Sequence, residues 1–65
     1  MNNKKLMTII KLLIDHDELV NDGKEGSIEC VLITNMLNQY TPSSIMCAVG
    51  VMSTAKAYGY ALYIN

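Results

Sequence analysis

Charge is distributed very unevenly along this chain. All six acidic residues lie between residues 15 and 29, while residues 30–65 contain one charged side chain, Lys56. Soluble domains carry charges over most of their surface, so an uncharged half must either be buried or be covered by another molecule. The neutral half is therefore expected to supply the core and, where it stays exposed, to meet a partner.

Residues 1–65 are expected to form a single small domain with a thin core. A chain of this length buries only about 60% of the surface that its unfolded form exposes. Phe and Trp are absent, which leaves the core to aliphatic side chains, Met and Tyr. Since 51% of the residues are apolar, more than such a core accommodates, a homo-oligomer is predicted.

The first segment, from about Asn3 to Asp15, has the pattern of an amphipathic helix. Its apolar residues recur at the i, i+3, i+4, i+7 spacing that places them on one face. These residues are Leu6, Ile9, Ile10 and Leu13. The lysines of the segment lie largely on the opposite side, so the apolar face is expected to pack into the core.

A second helix is expected after the turn signals of residues 21–27, where Asn, Asp and two Gly favour a chain reversal. Ser27 is a suitable cap for a helix that runs to about Tyr40. A strand over residues 28–33 is the alternative, because β-branched residues are frequent there. The helix is preferred, since residues 34–39 continue without a turn signal.

A third helix is predicted to begin at Thr41-Pro42. Threonine caps helices, and proline at the first helical position needs no N–H partner and has its φ already set. Gly59 is expected to end this helix, and the alternation over residues 60–64 predicts a short half-buried strand. The predicted fold class is therefore mostly α: three helices with a short C-terminal strand.

The third helix has two distinct faces when its residues are placed at helical spacing. The inner face is predicted to consist of Ile45, Val49 and Met52, with Ala48 beside them. The outer face is the candidate partner-binding surface, because it is uncharged and contains a mid-helix glycine that permits close approach of another backbone. Its residues are Ser43, Met46, Cys47, Gly50 and Thr54.

The second and third helices resemble the helix-turn-helix core of winged-helix regulators. The resemblance covers residues 27–64: a helix, a tight turn, a second helix opening at Thr41-Pro42-Ser43-Ser44, then Gly59 and a strand that would enter the wing. It implies a truncated winged-helix fold with a third helix that reads DNA. In that case phosphates would be contacted by Lys4, Lys5, Lys11 and Lys56. The outer face of the third helix, however, carries no Arg, Lys, Asn or Gln.

No metal, cofactor or catalytic site is predicted. An EF-hand loop beginning at Asp15 would need an oxygen ligand and then Gly where the chain has Leu19 and Val20. Ser43, Ser44 and Cys47 of the third helix lack a general base, since the one histidine, His16, is far away in sequence and no acidic residue follows Glu29. Cys30 and Cys47 are expected to be free, buried thiols in a reducing compartment.

These observations favour a small, non-enzymatic, cytoplasmic regulator or inhibitor, of the type found in phages and mobile elements, that binds a larger protein. The alternative is a DNA-binding helix-turn-helix transcriptional regulator. The formal net charge of −1, with five lysines and no arginine, disfavours nucleic acid as a partner. Membrane association is not expected, because the apolar runs are too short to cross a bilayer.

Overall fold

A computed structural model describes residues 2–57, and within this range the chain forms three α-helices. They are α1 (Asn3–Asn21), α2 (Ile28–Leu37) and α3 (Pro42–Ala57). The prediction of a mostly helical fold is confirmed, and residues 28–33 are helical rather than extended. The predicted strand over residues 60–64 and the predicted helix end at Gly59 lie outside the described residues.

The first helix is longer than the sequence predicted. It continues to Asn21 instead of ending near Asp15. Leu19 and Val20 are half-buried in the additional turns. Their packing outweighs the unfavourable interaction of the acidic residues with the carboxyl end of the helix dipole.

A Schellman motif ends α1. Gly23 adopts a φ of 75°, a left-handed conformation that glycine reaches without steric cost. The Gly23 N–H donates to the Val20 carbonyl at 3.0 Å, and the Lys24 N–H donates to the Leu19 carbonyl at 2.8 Å. These bonds satisfy two of the last carbonyls of α1 and turn the chain towards α2.

The amino ends of α2 and α3 are capped by the residues that the sequence indicated. Ser27 Oγ accepts a hydrogen bond from the Cys30 N–H at 3.2 Å. Thr41 Oγ1 accepts one from the Ser44 N–H at 3.3 Å, and Pro42 is the first residue of α3. Both helices therefore begin where local hydrogen bonding favours them, independently of packing.

The core lies along α1. Helices α2 and α3 each pack against α1 and make little contact with each other. Ile9, Ile10 and Ala48 form the buried centre. The partly buried side chains that surround it are Leu6, Leu13, Ile14, Leu37, Tyr40, Ile45 and Met52.

The predicted inner face of α3 is correct except at Val49. Ile45 and Met52 pack against the core, and Ala48 is fully buried. Val49 is 47% exposed and lies on the flank of the helix. Ala55, two turns after Ala48, is buried instead of Val49. Two small side chains, those of Ala48 and Ala55, therefore face α1 and allow α3 to lie close to it, while Val49 faces outward.

Candidate functional site

The outer face of α3 consists of Ser43, Met46, Cys47, Gly50 and Thr54, and all five residues are exposed. Met46 is the most prominent of them, with 74% of its surface accessible. The face lies opposite the buried Ala48 and carries no charged side chain. The structure thus places the five predicted site residues together on one uncharged surface.

Three details define the chemistry of this outer face. The Thr54 hydroxyl donates to the Gly50 carbonyl at 2.9 Å, a bond within the helix that leaves its oxygen free to accept another. No atom lies within 4 Å of the position that a Cβ on Gly50 would occupy. Cys47 is a free, exposed thiol, which corrects the prediction that both cysteines are buried; Cys30 is the buried one.

A second apolar surface, on α2, was missed by the sequence reasoning. We call it the α2 stripe; its residues are Ile28, Val31, Leu32 and Met36, all of them exposed. Ile28 is the extreme case at 81%. Cys30 and Ile33 are buried on the opposite side of the same helix. The sequence signal was present, because apolar residues occur on every side of α2 and a helix on the surface of a small domain buries only one side.

Three of the four predicted phosphate contacts lie on α1 and not on the helix that would read DNA. Lys4, Lys5 and Lys11 are exposed on α1. The Nζ atom of Lys5 lies 5.8 Å from the centroid of the Tyr40 ring, close to the distance limit of a cation–π contact. The side chain of Lys56, the fourth predicted phosphate contact, lies outside the described part of the chain.

The acidic run on α1 is a set of surface side chains. His16 Nδ1 is 4.0 Å from Asp17 Oδ1. Among residues 2–57, His, Cys, Asp and Glu side chains do not gather in any group of three or more that would hold a metal ion. At this distance the His16–Asp17 pair is a weak, exposed interaction.

An open recess separates α1 from the flank of α3. Its volume is about 280 Å³, and it is lined by Leu13, Asp17, Val49, Met52 and Ser53. One carboxylate and one hydroxyl lie at the edge of otherwise apolar walls.

Comparisons of the chain with protein-family models, with curated proteins and with solved structures found no match. The resemblance to winged-helix regulators therefore stays a prediction. Within residues 2–57, no helix combines the length and the apolar character that crossing a bilayer requires. The described residues offer a partner two exposed, uncharged surfaces: the outer face of α3 and the α2 stripe.

Proposed function

We propose that this protein is a small non-enzymatic regulator or inhibitor, of the kind carried by phages and mobile elements, that binds a larger protein through the outer face of α3. The observation that carries the proposal is the exposure of Met46 on a surface without charge. Residues 42–55 of α3 contain no Asp, Glu, Lys or Arg. A helix face of this kind is easily dehydrated, which is what a protein partner requires.

The composition of the outer face suits a protein partner. Methionine is flexible and polarizable, so it adapts to an apolar pocket. The hydroxyls of Ser43 and Thr54 offer hydrogen bonds at the edges, and Gly50 leaves room for close approach of another backbone. Mixed apolar and hydroxyl surfaces are typical of complexes whose components also exist apart.

The second candidate function is DNA binding; the short connection between α2 and α3 favours it, whereas the small contact between these two helices does not. The two helices are joined by residues 38–41, and Thr41 caps α3 as the predicted helix-turn-helix requires. Against it, DNA affinity depends largely on positive charges near phosphates. The outer face of α3 has none, and the described lysines of α1 lie on another helix.

The proposed function includes self-association. The described part of the chain exposes eight large apolar side chains, four of which form the α2 stripe. A small domain that leaves this much apolar surface in water gains stability when a second molecule covers it.

Affinity capture from a lysate of the natural host tests the proposed function. We expect Met46→Glu to abolish capture of the target, because an unpaired charge at a dehydrated contact costs about 2 kcal/mol or more. Met7→Glu is the matched control: Met7 is also exposed, but it lies on α1. Both variants should keep the wild-type melting temperature to within a few degrees.

Loss of capture by the control as well as by Met46→Glu would remove the argument for the outer face of α3. Retention of target capture by both variants would also contradict a role for the outer face of α3. If the captured material is DNA and not protein, the second candidate function replaces the first.

A further inference from the structure

The α2 stripe is a patch and not a set of scattered surface residues, because its four exposed side chains are neighbours on one side of α2 and none is charged. Its four side chains, which together expose roughly 400 Å², amount to about half of what each partner buries in a standard protein interface. Glu29 and Thr34 flank the stripe, and Asn35 lies within it, one turn after Val31 and Leu32; all three are also exposed. An interface centred on the stripe and extended over these flanks reaches the lower end of the range for specific complexes.

The stripe differs in character from the outer face of α3. Its four side chains are aliphatic or thioether and the exposed amide of Asn35 lies among them, whereas the outer face mixes one methionine with hydroxyls, a thiol and a glycine. Interfaces between identical subunits are more apolar than those between transient partners. This composition favours a second copy of the chain as the occupant of the stripe.

Charge complementarity supports the same occupant and sets its orientation. Glu29 lies in the first turn of α2. At the other end of α2, Tyr40 follows the helix, and the Nζ atom of Lys5 lies over the Tyr40 ring. An antiparallel pair of α2 helices brings the glutamate end of each copy towards the lysine end of the other, twice by symmetry. A parallel pair would place the two glutamates side by side, and the parallel helix dipoles would also repel.

We propose that the α2 stripe is a homodimer interface in which α2 packs antiparallel against α2 of a second copy. In this arrangement Ile28 of one copy lies beside Met36 of the other, and the two Leu32 side chains meet near the twofold axis. The inference rests on the self-association included in the proposed function. It uses a surface other than the outer face of α3, so the two proposals fail separately.

Sedimentation of charge variants tests where the contact lies. Wild-type protein should sediment as a dimer at micromolar concentration, and Ile28→Glu should raise the dimer dissociation constant at least tenfold. This variant should still fold, because Ile28 is 81% exposed and a glutamate in the first turn of α2 favours the helix. Met46→Glu is the matched control: its side chain is similarly exposed but lies on α3, so it should stay dimeric.

Disulfide trapping tests the orientation. The experiment uses a Cys47→Ser background, in which the buried Cys30 is the remaining native cysteine. A mixture of Ile28→Cys and Met36→Cys chains should form mixed disulfides on mild oxidation, whereas either chain alone should not. Leu32→Cys alone should form a symmetric disulfide. Thr8→Cys, exposed on α1, should stay monomeric under denaturing conditions.

Three results would overturn the inference. Wild-type protein that stays at 7.2 kDa at high micromolar concentration would eliminate self-association altogether, while capture through Met46 would still be judged on its own. A dimer that Met46→Glu dissociates and Ile28→Glu does not would place the contact on α3. Efficient trapping of Ile28→Cys with itself would exclude the antiparallel arrangement.

Discussion

Glycine serves opposite purposes at two positions of this chain. Gly23 has a φ of 75° and ends α1 in a conformation that other residues adopt only with strain. Gly50 lies inside α3 with ordinary helical geometry, and a Cβ there would meet no atom within 4 Å. Replacing glycine by alanine adds a single methyl group at either position, and we expect it to change the free energy of unfolding in opposite directions.

We expect Gly23→Ala to lower the free energy of unfolding by about 1 kcal/mol, because alanine is strained in the left-handed region. Gly50→Ala should raise it by about 1 kcal/mol, because glycine is a poor helix former. Urea unfolding followed by circular dichroism measures both changes. A destabilised Gly50→Ala would contradict the open surroundings of this residue.

Val49 was predicted to lie on the inner face of α3 but is exposed, so a substitution of Ala48, and not of Val49, is the one that should disrupt the core. Ala48 is fully buried against α1, whereas Val49 is half exposed. Ala48→Glu should abolish cooperative unfolding, because a charge and a larger side chain would enter a packed contact. Val49→Glu should cost about 1 kcal/mol, the ordinary effect of losing a partly buried apolar contact. Thermal melts of the two variants, one position apart, distinguish these outcomes.

An unfolded Val49→Glu with a folded Ala48→Glu would mean that α3 is rotated about its axis relative to the arrangement described. The outer face would then rotate with it. The pair of variants is thus also a check on the exposure of Met46 and Cys47.

Helix starts could be predicted from the sequence because they depend on local bonds. Ser27 and Thr41 accept hydrogen bonds from residues three positions later, so the side chain and its partner stand in the same short segment. The end of α1 was predicted too early, because the acidic residues after Asp15 are unfavourable there and the packing of Leu19 is not visible in the local pattern.

The α2 stripe could not be predicted in the same way. Apolar residues surround α2, and which of them face the core depends on how the helix is rotated against α1. Cys30 and Ile33 take the buried side, and Ile28 is left in water. The two faces of α3 differ no more in hydrophobicity than those of α2. The i, i+3, i+7 spacing of Ile45, Ala48 and Met52 nevertheless indicates an inner face. The exposure of the outer-face residues could therefore be predicted, although that of Val49 was not.

At the scale of the whole molecule, charge decides between protein and DNA as the partner. We expect specific DNA binding to be absent or weak at physiological salt, because the net charge is −1 and the outer face of α3 is neutral. Fluorescence anisotropy with selected DNA fragments measures this. A nanomolar site whose affinity falls steeply with salt, and which Lys4→Ala and Lys5→Ala abolish while Lys24→Ala does not, would establish the DNA-binding function instead.

Helices α2 and α3 share α1 as their support and hardly touch each other. A dimer formed through α2 would leave both copies of α3 accessible, so each assembly would present two identical binding faces. Coupling between dimerisation and target binding would have to pass through α1, and we expect the two equilibria to be nearly independent. The benefit of dimerisation would then be avidity: a target that offers two sites would be held far more tightly than one that offers a single site.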